Sequence, residues 1–390
     1  MSSKRYDVVL IGALAQMDLI LADALSQEGL RCAIVRLPGT AKPDPSTWPS
    51  PLRAFRLEDL YPYRNANWFW TFSRAATCVV SITSVLPFAL QGWWAALPWL
   101  GYPPIVNVST GSDVAELARE RSRSGWVCRS LLRRAAVNYV PAYPEVVRSI
   151  TALRLANFEF FRYAYWLAPC TTTRRPDGPI LFFHPSHLDW GFTDVKPSRN
   201  STKGNDRFFR AFFRAAANGA NIRCVLLDRG PDRGVARELI AKCGYADRFE
   251  WLPPLGQAAL CERMRDCDVV VDQFDVGGFG GIAIEAMALG KPVLIHIDPD
   301  TWPLVYDTPP PILACRTEDE IHQAILRSQD RTAMAALGRQ AAGWVDDNYR
   351  SGAVAKRMAC KIAVITGKGW PLPARSAANL VEPDRSADCL

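Results

Sequence analysis

The densest chemical signal in the chain runs from Asp272 to Val293. Its centre, Gly277-Gly278-Phe279-Gly280-Gly281-Ile282, puts four glycines into five positions between a strand-like segment and a helix-period segment. A glycine-dense turn lets backbone N–H groups approach a phosphate, and the helix that starts there adds partial positive charge at its N-terminus. Glu285 stands one turn into that helix, where a carboxylate accepts hydroxyl hydrogen bonds from a sugar ring. The competing reading is a tight turn before a packed helix, yet so many glycines are costly in a loop with no other task.

The elements that must position these residues follow from periodicity. Residues 6–11 read as a buried parallel strand, 17–25 as a helix and 31–35 as the next strand, a βαβ opening. The turn Gly12-Ala13-Leu14-Ala15-Gln16 lacks G-x-G-x-x-G, so a nicotinamide or flavin cofactor has no support there. Residues 38–66 read as a long irregular loop. The apolar stretch 68–100 reads as a buried helix plus loop in preference to a membrane span, because Ser81, Thr83, Ser84, Pro87, Gln91 and Pro98 interrupt it. Strands are expected at 104–109 and 161–167, and a domain boundary near residue 175, where composition turns polar. Beyond it, strands at 179–184, 222–228, 268–272 and 292–297 alternate with helices at 205–217, 233–243, 257–265 and 282–289. That rhythm predicts a doubly wound α/β domain over 176–366, matching one over 1–175, with a disordered tail at 367–390.

Composition removes several classes. A chain of 390 residues that is 49% hydrophobic has material for two cores, which excludes a mainly disordered protein. Eleven Cys are scattered with no Cys-x-x-Cys pair and only four His accompany them, so neither a zinc site nor a disulfide framework is expected, and the reading is a reducing cytoplasm with no signal peptide. Residues 1–175 hold 20 Lys and Arg against 12 Asp and Glu, while the remainder hold 26 against 27. The first half also carries eight of the thirteen Trp. Basic surface with Trp suits an anionic partner or a membrane interface. No Lys/Arg block of five or more occurs, which argues against nucleic acid.

The 272–293 stretch resembles the donor-binding motif of retaining glycosyltransferases of family 4, in which two glutamates are separated by seven residues. Gly278-Phe279-Gly280, Glu285-Ala286-Met287-Ala288, Gly290 and Pro292-Val293 match, whereas Gly277 replaces the first glutamate. The resemblance implies a GT-B fold, two Rossmann-like doubly wound domains facing across a cleft. It assigns nucleotide-ribose binding to Glu285 and leaves donor-sugar binding at Gly277 without a carboxylate, a contact that Asp275 is a candidate to supply. Ser201-Thr202-Lys203-Gly204-Asn205-Asp206 is similar to the segment whose lysine meets the donor diphosphate, so Lys203 takes that role. The accompanying arginine is missing; His187 stands near its place and Arg199 is a looser candidate. Thr110-Gly111-Ser112-Asp113 resembles an N-terminal H-G-x-D, with Asp113 either an active-site lip or a helix cap. Asp228-Arg229-Gly230-Pro231 either flanks the base or makes a plain turn, while His296 and His322 read as structural.

The implied activity is transfer of a sugar, with retention, from a nucleotide-diphosphate sugar to a saccharide or lipid-linked acceptor, as in surface polysaccharide assembly at an anionic inner membrane face. No cofactor and no essential metal are implied, and no D-x-D motif is present. The alternative is a catalytically impaired protein of the same fold acting as a sugar-nucleotide sensor or partner subunit. A sugar-nucleotide epimerase fits the motifs less well.

Overall fold

The computed structural model describes residues 6–12, 16–38, 44, 48, 51–82, 102–165, 167, 168, 170, 177–191, 202–349 and 351–367. The expectations for Arg199, for residues 83–100, for the boundary near 175 and for the tail beyond 367 fall on residues outside these. The first half forms β1 (Val8–Ile11), α1 (Met17–Gln27), β2 (Cys32–Arg36), β3 (Leu60–Pro62), α2 (Ala66–Arg74), β4 (Cys78–Ile82), β5 (Ile105–Val108), α3 (Ser112–Ala115), α4 (Arg123–Arg134), β6 (Val137–Val140), α5 (Pro144–Leu153) and β7 (Phe158–Phe160). Its seven strands are ordered β3-β2-β1-β4-β5-β6-β7, every neighbouring pair parallel.

The second half continues with β8 (Ile180–His184), α6 (Asp206–Ala217), β9 (Ile222–Leu227), α7 (Arg233–Lys242), β10 (Phe249–Leu252), α8 (Gln257–Asp266), β11 (Val269–Val271), α9 (Gly281–Ala288), β12 (Val293–Ile295), β13 (Leu313–Ala314), α10 (Glu318–Arg327), α11 (Arg331–Tyr349) and α12 (Ser351–Thr366). Its sheet is β10-β9-β8-β11-β12-β13, again wholly parallel. In both sheets the winding reverses beside the first strand, between β1 and β4 and between β8 and β11. Such a switch point opens a crevice beyond the carboxyl ends of the strands, which is where ligands of open α/β sheets bind.

Four local expectations are corrected. The loop 38–66 contains the edge strand β3, and β10 and β13 are edge strands that the pattern did not reveal. All three are partly exposed, so no continuous apolar run marks them. Residues 78–82, expected within a helix, form the central strand β4, fully buried and rich in β-branched side chains. The strand expected at 161–167 lies earlier, at β7, and the aromatic residues after it serve two cores. Phe161 and Tyr163 bury in the first core, whereas Tyr165 packs on both. The last helix, α12, also crosses back. Val354, Ala355, Met358, Ala359 and Ile362 recur on one face and bury against β1 and α1, so this segment shares the first core although it follows the second in sequence. Among the described residues no helix is long and apolar enough to cross a membrane.

Candidate functional site

The site grows from the β8/β11 switch point. Asp272 follows β11 directly and is 2% exposed; Ser186, just past β8, donates its hydroxyl to Asp272 Oδ1. Burial pushes the Asp272 carboxyl above the usual range, while the charge of Lys203, the Ser186 hydroxyl, the Ala283 amide and the Arg229 charge pull it back. Its other oxygen faces the start of α9: a Cβ placed on Gly280 would stand 3.2 Å from Asp272 Oδ2.

Lys203 reaches the same point from the loop before α6. Its amide donates to Asp189 O at 2.5 Å and its carbonyl accepts from Phe274 N at 2.8 Å. The ammonium donates to Gln273 Oε1, and Gln273 Nε2 donates to Gly278 O at 2.6 Å, so one amide side chain ties the cation to the glycine loop. Burial lowers the Lys203 pKa, and the charges of Asp272 and Asp189 oppose that. The scaffold beneath is Asn205, fully buried, which accepts from Asp189 N at 3.0 Å and contacts His184 Nε2 at 3.1 Å. Burial pushes His184 down to about 3, so its ring stays neutral and serves as a hydrogen-bonding strut.

The glycine loop has two tasks. Gly280 lines the cleft and, with Gly281 and Ile282, opens α9, whose first-turn N–H groups have no intrahelical partners. Gly278, by contrast, is pressed by the other half of the molecule: a Cβ there would stand 2.0 Å from the Tyr143 ring, and Tyr143 Oη donates to Phe279 O at 2.7 Å. Gly277 adopts φ +72° and its carbonyl accepts from Asp298 N at 3.0 Å. These two glycines therefore serve close approach of protein to protein. Glu285 is half-buried one turn into α9. Burial pushes its pKa up to about 7, with Gln257 pulling down and the Asp272 charge pushing up.

Between the halves lies a cleft of about 590 Å³. Thr202, Lys203, Gln273, Asp275, Gly280, His296, Asp298 and Arg316 line it from the second half; Thr110, Gly111, Ser112, Glu116, Tyr143, Glu145 and Arg148 are among its walls from the first. Lys203, Gly280 and Asp275 thus meet in one place. Asp275 is engaged there by the Arg207 guanidinium and by Thr202 Oγ1 at 2.8 Å. Asp113 lies behind the wall instead. It is 5% exposed and accepts from Ser109 Oγ at 2.5 Å and from Gly111 N at 3.0 Å, holding the turn that presents Thr110 and Ser112. His187 is exposed on the loop after β8 and is not part of the cleft wall.

Sequence reasoning missed Tyr143, Asp298 and the cleft position of His296, whose pKa burial lowers. No local pattern marks them, since Tyr143 meets Phe279 across 136 positions of sequence. The first-half wall contributes Glu116, Glu145 and Arg148, so the basic excess of that half does not line the cleft. Part of it is exposed on α4 and just before it, at Arg119, Arg121, Arg123, Arg133 and Arg134, and Trp126 of α4 is 54% exposed. Among the described residues no group of three His, Cys, Asp or Glu is placed to hold a metal ion.

Residues 197–299, which carry Lys203, the glycine loop and Glu285, match the family described as Glycosyl transferases group 1. No curated protein matches the chain in sequence. Among solved structures, Alr3699/HepE from Anabaena in complex with UDP-glucose superposes with a TM-score of 0.65 at 14% identity, covering 92% of this chain and 100% of that one. Sucrose-phosphate synthase (tll1590) from Thermosynechococcus elongatus gives 0.60 at 14% identity, covering 93% and 100%. The lipopolysaccharide outer core galactosyltransferase WaaB in its apo form gives 0.59 at 12% identity, covering 92% and 99%. At such identities the likeness is one of fold. The chain has the GT-B arrangement of two Rossmann-like domains facing across a cleft.

Proposed function

We propose that the protein transfers a sugar from a nucleotide-diphosphate sugar to a saccharide or lipid-linked acceptor, with retention of anomeric configuration. The observation that carries this reading is the convergence of Lys203 and Gly280, the residue that precedes α9, on one cleft at the switch point of the second sheet. Lys203 hydrogen-bonds a neutral amide, Gln273, and among the described residues makes no ion pair, so its charge remains available to an incoming diphosphate. Together with the N–H groups of Gly281 and Ile282 it stabilises the negative charge that develops on the diphosphate as the glycosidic bond breaks. Glu285, ionised on binding, accepts the ribose hydroxyls. The family match over 197–299 and the UDP-glucose held by a protein of the same fold support this donor class.

The reading needs no metal, and turnover is expected to persist in a chelator. It places the acceptor against the first-half wall, with the basic, Trp-bearing face of α4 on an anionic membrane surface, as suits assembly of surface glycoconjugates at the cytoplasmic leaflet. A thermal-shift screen of nucleoside diphosphates and their sugars tests the donor assignment. Stabilisation by one base family, lost in Glu285→Ala, is the expected outcome. Absence of any response overturns it.

A second reading, a sugar-nucleotide sensor or partner subunit, draws on one observation: the only carboxylate of the Thr110–Asp113 turn is spent on Ser109 and Gly111 behind the wall. Nucleotide-sugar binding without turnover against any acceptor pool distinguishes it.

A further inference from the structure

Among the described residues the cleft holds four carboxylates, and they differ in what they are already doing. Asp275 is occupied by Arg207 and Thr202. Glu145 is paired with Arg148 and faces Arg119 at 3.9 Å. Glu116 stands on the first-half wall. Asp298 is the remaining one. It follows β12 at the carboxyl end of the second sheet and shares the cleft with Lys203 and Gly280.

Its placement is built rather than incidental. Oδ1 accepts from Asp300 N and from Thr301 N, both at 3.1 Å, which fixes the side chain in one rotamer. The Asp298 amide donates to Gly277 O at 3.0 Å, stitching the loop after β12 to the glycine loop. A Cβ on Gly277 would stand 3.2 Å from Asp298 Cβ, so the absence of a side chain at 277 leaves the space that Asp298 occupies. Among the described residues Oδ2 makes no hydrogen bond and no ion pair, and the charge of Asp298 acts on Arg148 across the cleft and on His296 of its own wall.

We infer that Asp298 is the carboxylate that accepts the hydroxyls of the transferred sugar and so sets the preference for a sugar-bearing nucleotide over the bare diphosphate. The inference rests on the donor reading above. A sugar bonded to a diphosphate that sits on Lys203 and α9 must lie beside that diphosphate in the cleft, and the loop joined to Gly277 is where a fixed acceptor oxygen faces that space. A vicinal diol donates two hydrogen bonds, and an ionised, prepositioned carboxylate receives them with little ordering cost.

Asp298→Asn is the decisive variant, because the amide oxygen still accepts from Asp300 N and Thr301 N while the cleft-facing oxygen becomes an NH2 donor. Calorimetry with UDP and UDP-glucose reads the result. Wild type binding UDP-glucose more tightly than UDP, with the Asp298→Asn variant losing about tenfold for UDP-glucose and less than twofold for UDP, supports the assignment. Equal loss for both ligands, loss for neither, or removal of the difference by Asp275→Asn instead overturns it. If wild type binds neither ligand at millimolar concentration, the donor reading falls for this nucleotide and the Asp298 assignment falls with it.

Discussion

The two walls of the cleft are built from the same kind of parallel sheet but use their strand ends in opposite ways. On the second-half wall, the loops after β8, β11 and β12 carry an ammonium on a neutral amide, a helix start, and a carboxylate with one oxygen that makes no hydrogen bond among the described residues. On the first-half wall, the loop after β5 turns its carboxylate inward to hold its own backbone, and what faces the cleft is Thr110, Gly111 and Ser112. One wall thus carries an ammonium, a helix start and a fixed carboxylate. The other presents small polar groups on that loop, beside Glu116, Tyr143 and the Glu145–Arg148 pair. Part of the positive charge of the first half lies on α4 and is absent from the cleft lining.

The sharpest way to break this arrangement is at the seam where the walls touch. Gly278→Ala puts a Cβ into the Tyr143 ring, and urea unfolding is expected to show a loss of about 2 kcal/mol from overpacking. Adding Tyr143→Leu should return part of that loss, because the two positions are coupled by direct contact. If Gly278→Ala is neutral, the close approach of the walls is not a constraint on the fold.

Next comes the asymmetry itself. Lys203→Met should weaken UDP binding by about 10- to 100-fold, as expected for removal of a charge-assisted contact, whereas Arg148→Met on the opposite wall should change it less than about twofold. Equal effects in a direct binding assay would erase the distinction between the walls.

A smaller effect is expected from pH. Glu285 has its pKa raised from 4.5 to about 7, so the folded protein keeps a proton that the unfolded chain has released. Stability therefore falls as pH rises from about 4.5 to about 7 and is level above that. Glu285→Gln lacks this dependence. Because the side chain is half-buried, the gain of the variant over wild type at pH 8 relative to pH 4 should be on the order of 1 kcal/mol, read from paired denaturation curves. A constant difference across that range would mean that Glu285 is not desolvated.

The smallest change in stability should follow Trp126→Ala, within about 0.5 kcal/mol, because the ring is more than half exposed. Its effect belongs elsewhere: sedimentation with anionic liposomes at low salt should decrease, and decrease further with Arg133→Ser and Arg134→Ser. Wild type that fails to sediment at all removes the membrane from the reading.

Much of the second half was legible in the sequence, because buried strands leave apolar runs at β8 and β11 and, interrupted only by Arg223, at β9, and glycines with a following helix period announce α9. The same local signals singled out Lys203 and Gly280, which line the cleft, and Glu285, which is not among its lining residues. Edge strands escaped because half-exposed backbone imposes no pattern, and β4 was hidden by the apolar residues around it. What the sequence determined by itself was the α/β class and the placement of one glycine loop before one helix, since those depend on neighbours a few positions apart. Only the tertiary structure decided that Gly278 serves Tyr143, that Asp113 turns away from the cleft, that Asp298 turns into it, and that α12 packs with the first core. Each of those depends on contacts between segments distant in the chain, and loop closure brings such segments together without leaving any periodic mark on either of them.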